Sequence, residues 1–181
     1  PIEAAAYFQD KIEYSDLVIN AGIRLDYFDS MADVPVDFSN PGEGRREDSE
    51  ADWQLSPRLG LAYPISEQGV IHVSYGHFFQ TPNYFYLYTN PEFDIDPVQS
   101  SVSTPPQSLR NTVGNADLES QKTVIYELGL QQQVGQLYGL TFTVFFKDIR
   151  NLLGTEVFQI REGERYARYI NRDYGFVRGA T

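Results

Sequence analysis

The chain has 181 residues, enough for one domain, with a net charge of -11, a pI near 4.5 and no cysteine. Missing cysteines remove disulfide staples, thiolate metal ligands and thiol nucleophiles, and the acidic balance argues against nucleic acid, whose phosphates need a basic surface. No apolar run approaches the roughly 18 residues of a membrane helix, but a barrel wall stays permitted because its lipid face takes only alternate residues, compatible with a mean hydropathy of -0.38.

Seven strands are predicted in chain order, at about 3–12, 16–29, 53–65, 70–84, 119–134, 140–150 and 165–179. In the second, Leu17, Ile19, Ala21, Ile23, Leu25 and Tyr27 share one face while Asn20, Gly22, Arg24 and Asp26 share the other. Such a strand separates an apolar environment from a polar one. The third strand returns to the turn SEQG, the fourth rises again, the fifth descends to GQLYG and the sixth rises with Leu140, Phe142, Val144 and Phe146 on one face. The predicted fold is therefore all-β: an antiparallel up-and-down meander forming part, about seven strands, of a larger transmembrane β-barrel.

Loop lengths carry the strongest sign of a membrane. Turns near 13–16, 66–69 and 135–139 are short, whereas the connections at 30–52 and 85–118 are long. Outer-membrane barrels sort their connections this way, with short periplasmic turns and long outer loops. The first long loop is acidic, with Asp33, Asp37, Glu43, Glu47, Asp48, Glu50 and Asp52 against Arg45 and Arg46. The second holds the Pro/Ser/Thr-rich QSSVSTPPQS and is expected to be a mobile external segment. Aromatic residues gather where strands meet these loops, at Tyr27, Phe28, Trp53, Phe78, Phe79, Tyr84, Phe85, Tyr86 and Tyr88, as in a membrane-interface girdle.

Few residues suggest reaction chemistry. His72 and His77 sit at an odd spacing and fall on opposite strand faces, so they do not make a metal site. Asp94 and Asp96 resemble the start of a calcium loop without its glycine and terminal glutamate. No phosphate-binding loop or nucleophile elbow is present, so no enzyme activity, metal or cofactor is expected. Five charges lie within strands on the polar face and are expected to line the lumen: Arg24, Asp26, Arg58, Glu127 and Lys147. Tyr84, Tyr86 and Tyr88, at the root of the second long loop, are the candidate ligand-binding residues.

Five segments, SPRLGLAYPIS, VSYGHFFQTPNY, GNADLESQKTVIYELGL, FFKDIRNLLGT and YINRDYGFVRG, together resemble the barrel of the TonB-dependent outer-membrane receptors, especially the type associated with carboxypeptidase-regulatory-like domains. The resemblance implies a 22-stranded barrel around an N-terminal plug, importing a ligand with energy transmitted from an inner-membrane complex. The implied location is the outer membrane of a Gram-negative bacterium. Implied partners are outer-membrane lipid, the plug of the same parent chain, the energy-coupling complex and an unidentified imported ligand such as a siderophore or glycan. The chain departs from the full pattern: it lacks a plug, an energy-coupling box and an aromatic-ended last strand, and is expected to be a piece of a longer protein. Two other readings fit the strand pattern, a soluble extracellular β-sandwich binding carbohydrate through 85–88 and a porin-type barrel.

Overall fold

The computed structural model describes residues 1–37, 44–91, 112–161 and 164–181. The predicted meander is present as β1 (Ile2–Tyr14), β2 (Leu17–Asp29), β5 (Asp52–Ser66), β6 (Gly69–Gln80), β8 (Gln121–Val134), β9 (Tyr138–Arg161) and β10 (Glu164–Ala180). Each pairs antiparallel with the next in one open sheet. Short elements decorate its loop end: β3 (Asp33–Pro35) and β4 (Arg46–Asp48) form a small hairpin, α1 (Tyr84–Tyr88) is a single turn, and β7 (Thr112–Val113) adds to the outer edge of β10 in parallel.

Local chemistry sets the tight ends. Ser15 and Gly135 take positive φ values of 55° and 64° in the connections β1–β2 and β8–β9, where the chain must reverse within two or three residues. Asn83 caps α1 by accepting from the Phe85 amide at 2.9 Å, and the Thr89 amide closes the turn on the Phe85 carbonyl at 3.1 Å.

All seven long strands lie in one sheet, which removes the sandwich reading. Ile23, Val73 and Leu128 are 44%, 41% and 49% exposed, with no second sheet packed over them among the described residues. Among the described residues the buried apolar set is Phe28, Leu87, Val113, Ala116, Leu118 and Tyr166, all at the loop end. Among the described residues the middle and lower strands thus bury no apolar core, and their apolar row stands exposed.

Three expectations are corrected by the structure. The sixth strand does not stop near residue 150: β9 runs to Arg161 and pairs with β10 from Val144 onward, because Asn151 absorbs an irregularity (φ 57°) without shifting the register between Arg150–Tyr174 and Leu152–Arg172. At about 3.3 Å per residue, its 24 residues span roughly 80 Å, far more than a bilayer core of about 30 Å needs. The fourth strand ends at Gln80 instead of 84, since Pro82 and the Asn83 cap divert the chain into α1. The C-terminal part of the second long loop is not a free external segment: Val113 is fully buried and Leu118 is 4% exposed. QSSVSTPPQS, Asp94 and Asp96 lie outside the described residues.

The aromatic belt divides between two environments. Tyr27 and Trp53 pair across β2 and β5 with ring centroids 4.4 Å apart, and Trp53 is largely exposed, as a girdle residue would be. Phe28 instead turns inward and clusters with Leu87 and Leu118, with Phe79, Tyr86, Tyr88 and Tyr169 packed around them.

Candidate functional site

Strand register decides which charged side chains meet. Gly22 lies opposite Arg58, Arg58 opposite Gly76, Gly76 opposite Ile125 and Ile125 opposite Lys147. Period-2 alternation then places Arg24, Asp26, Arg58, Glu127 and Lys147 on one face of the sheet. This face is concave. A hollow of about 550 Å³ lies over β1, β2, β5, β6 and β8, and Arg24, Arg58 and Glu127 all line it.

Within the hollow each charge is held differently. Arg24 Nε donates to Asp26 Oδ1 at 2.7 Å, and Asp26 is 6% exposed, so the aspartate acts as the buried anchor of the arginine. The Arg58 guanidinium lies 4.7 Å from the centroid of Phe78, a cation–π contact at the concave surface. Ser74 Oγ donates to Glu127 Oε2 at 2.9 Å across the β6–β8 pair. Lys147 shares the face without lining the hollow, and its ammonium sits 5.3 Å from the Phe145 ring. Glycines keep the floor low: a Cβ at Gly22 would lie 3.2 Å from the Phe8 carbonyl, and one at Gly76 would lie 3.2 Å from the Phe78 ring.

The two histidines separate as the spacing requires. His72 lies opposite Gly129 and its ring covers that glycine, whereas His77 sits 2.6 Å from the Tyr75 hydroxyl on the other face.

The three candidate tyrosines share α1 but make different polar contacts, with the rings of Tyr84 and Tyr88 6.1 Å apart. Tyr84 donates to Glu3 Oε1 at 3.1 Å, which raises its phenol above the ordinary value. Tyr88 donates to the Ser30 carbonyl at 2.6 Å, and burial raises it likewise. Tyr86 packs 4.9 Å from the Tyr169 ring and is the member of the trio that lines a second pocket, of about 310 Å³.

That upper pocket was not legible in the sequence. Its wall carries Gln80, Gln121, Asn151 and Asn171, which belong to four different strands and are joined only by pairing. Its floor is the incoming segment before β8, pinned at several points. Asn171 accepts from the Glu119 amide at 2.9 Å and donates to the Glu119 carbonyl at 2.9 Å, while Asn151 donates to Glu119 Oε2 at 2.7 Å. The Ser120 amide donates to Asp52 Oδ2 at 2.9 Å, and Lys122 pairs with Asp52 Oδ1 at 3.2 Å. Further along, Arg168 Nη2 donates to Asn115 Oδ1 at 2.6 Å and Asn115 Nδ2 donates to the Tyr169 carbonyl at 3.0 Å. Burial lowers the Arg168 guanidinium and pushes its neighbour Tyr166 up to about 12.

The architecture is thus an open antiparallel meander with a charged concave face and an apolar convex face. Residues 3–180 fit the model described as TonB-dependent receptor-like, β-barrel. The chain belongs to this receptor-barrel family.

Solved structures agree on the fold of this receptor-barrel segment. The siderophore receptor PirA of Pseudomonas aeruginosa superposes with a TM-score of 0.64 at 20% identity, covering 98% of this chain and 27% of that one. The Serratia marcescens hemophore receptor HasR, solved with its hemophore HasA and heme, gives 0.67 at 18%, covering 98% and 30%. The FrpB iron transporter of Neisseria meningitidis gives 0.59 at 16%, covering 98% and 23%. The receptor-barrel segment therefore spans between a fifth and a third of the length of these structures. No curated protein sequence matches it.

Proposed function

We propose that this chain is a stretch of the barrel wall of a TonB-dependent receptor in the outer membrane of a Gram-negative bacterium. In this reading the parent protein binds a ligand from outside and imports it with energy from an inner-membrane complex, and the chain itself catalyses no reaction. The observation that carries the reading is the sidedness of one sheet. Ile23, Leu128 and Phe142 stand 44%, 49% and 56% exposed on the convex face, while Arg24, Asp26, Arg58 and Glu127 occupy the concave one. Lipid would cover the first set, and a plug domain of the same parent chain together with water the second.

Ligand choice, in the same proposal, belongs to the connections 30–52 and 85–118, with Tyr84, Tyr86 and Tyr88 at their junction. Two features favour this placement: Tyr86 lines a pocket at the loop end, and Tyr88 joins the two connections. The test is to express the full-length parent protein, isolate outer membranes, and compare migration of unheated and heated samples on a denaturing gel. Heat-modifiable migration from the outer-membrane fraction, with growth on the imported nutrient lost when the energy-coupling complex is deleted, is the expected result. Recovery only as a secreted soluble protein would overturn it.

A further inference from the structure

The ladders of the wall stop at different heights. β2 and β5 pair up to Phe28–Asp52, and β6 and β8 up to Gln80–Gln121, but β5 and β6 pair only from Arg58–Gly76 downward. Pro57 stands immediately above that last pair, and a residue without an N–H favours a strand edge over a shared ladder. Above Arg58–Gly76 the wall is therefore two leaves, β1–β2–β5 and β6–β8–β9–β10, with no main-chain ladder between them among the described residues.

The direction of the side chains shows how the leaves meet. Phe28 and Asp52 share the concave face with Asp26, whereas Phe79 and Lys122 share the convex face with Leu128. Yet Phe79 packs against the cluster of Phe28, Leu87 and Leu118, and Lys122 Nζ lies 3.2 Å from Asp52 Oδ1. Convex-face residues of one leaf reach concave-face residues of the other when the β6–β8 leaf passes inside the β2–β5 leaf, as in a lap joint. Ser56 agrees with this overlap: it lies opposite Arg24 on the concave face and is fully buried, while Arg58, two residues on, is exposed over the open hollow.

Side chains hold the lap where the ladder is missing. One oxygen of Asp52 takes Lys122, and the other accepts from the Ser120 amide at 2.9 Å. Ser56 and Ser120 are fully buried, and neither hydroxyl has a hydrogen-bond partner among the described residues. Each such group destabilises the closed joint. A contact held by one carboxylate and burdened with two unsatisfied hydroxyls opens more readily than a continuous ladder.

We propose that the upper β5–β6 joint is a slip seam latched by Asp52, through which the loop end of the wall changes girth while the ladder below Arg58–Gly76 stays closed. α1 continues the inner leaf but is tied to the outer one, by Tyr84 to Glu3 and by Tyr88 to the Ser30 carbonyl. Sliding at the seam therefore moves Tyr84 and Tyr88 relative to their partners and couples the wall to the loop end. The proposal rests on the receptor reading for a barrel completed by the rest of the parent chain.

The experiment uses the full-length receptor in detergent micelles. In the native protein, residue-resolved hydrogen exchange should run about tenfold or more faster in 53–57 and 77–80 than in 59–63 and 70–75. Asp52→Asn removes the ion pair but keeps an acceptor for the Ser120 amide, and should speed exchange in 77–80 and 120–122 by about threefold or more. Spin labels on Leu55→Cys and Tyr174→Cys report distances above the last β5–β6 pair, and labels on Tyr63→Cys and Leu140→Cys report distances below it. Asp52→Asn should broaden the first distance distribution and leave the second unchanged. Lys122→Met replaces Asp52→Asn if the latter does not assemble, and the native exchange pattern needs no variant.

Equal protection above and below Arg58–Gly76, an upper distance unmoved by the variants, or equal broadening of both label pairs would overturn the proposal. Heat-modifiable migration is measured on the same samples. An assembled outer-membrane receptor with uniform protection removes the seam alone, whereas failure to reach the outer membrane removes the receptor reading itself.

Discussion

Tyr88 donates its phenolic hydrogen to the main-chain carbonyl of Ser30 at 2.6 Å, joining the end of β2 to α1 across 58 residues of sequence. Ser30 is 3% exposed, so its carbonyl has little access to water and depends on this partner. Tyr88→Phe keeps the ring against Phe28 and Leu87 but leaves that carbonyl unsatisfied, at a cost of about 1–3 kcal/mol. The loss should appear as faster amide hydrogen exchange in α1 and the 112–120 segment, with barrel migration unchanged. Unaltered exchange at these amides would show that the bond contributes nothing to the loop-end core.

Sidedness makes a second prediction. Leu128→Arg on the convex face should destabilise the assembled barrel by roughly 2–4 kcal/mol, while Thr143→Arg, at nearly the same height on the concave face, should escape the lipid penalty. Leu128 pairs with Val144 and Thr143 with Gly129, so the two positions differ mainly in direction. Folding titrations into lipid vesicles measure both, and equal costs would contradict the assignment of faces.

The pair Gly129 and His72 should show coupling. A Cβ at Gly129 would fall 2.0 Å from the His72 ring, which must then swing away. Gly129→Ala should therefore destabilise the wall, and His72→Ala introduced beside it should recover part of the loss, with an interaction energy of about 0.5–3 kcal/mol. Strict additivity in the double-mutant cycle would mean that the ring yields freely.

Alkaline pH should loosen the loop end before the strands. Burial holds the Tyr166 phenol at about 12, opposed by the nearby Arg168 charge, against an ordinary value of 10.0. A raised folded-state value means that the folded form keeps its proton while the unfolded form loses it. The contribution is thus complete below about pH 10 and is lost progressively up to about pH 12. Hydrogen exchange or proteolysis of the β7–β10 region should report this weakening, and Tyr166→Phe should flatten the dependence. An unchanged pH profile in that variant would remove Tyr166 as the cause.

The sequence by itself determined the period-2 faces, the tight turns and the order of the seven long strands, because alternation and turn chemistry are local properties. It also placed Arg24, Asp26, Arg58, Glu127 and Lys147 on one side, since register inside a strand fixes direction. Tertiary structure decided what those side chains do: Asp26 holds Arg24, Phe78 carries Arg58, and Lys147 stands apart from the hollow. It alone extended β9 past Asn151, because a positive φ that would end an isolated strand is tolerated when β10 pairs on both sides of it. It alone set Gln80, Gln121, Asn151 and Asn171 around one pocket, since residues as far apart as 80 and 171 become neighbours only through the pairing of β6, β8, β9 and β10. The reason is physical: a strand's own residues fix which way each side chain points, and only cross-strand hydrogen bonds fix what stands beside it.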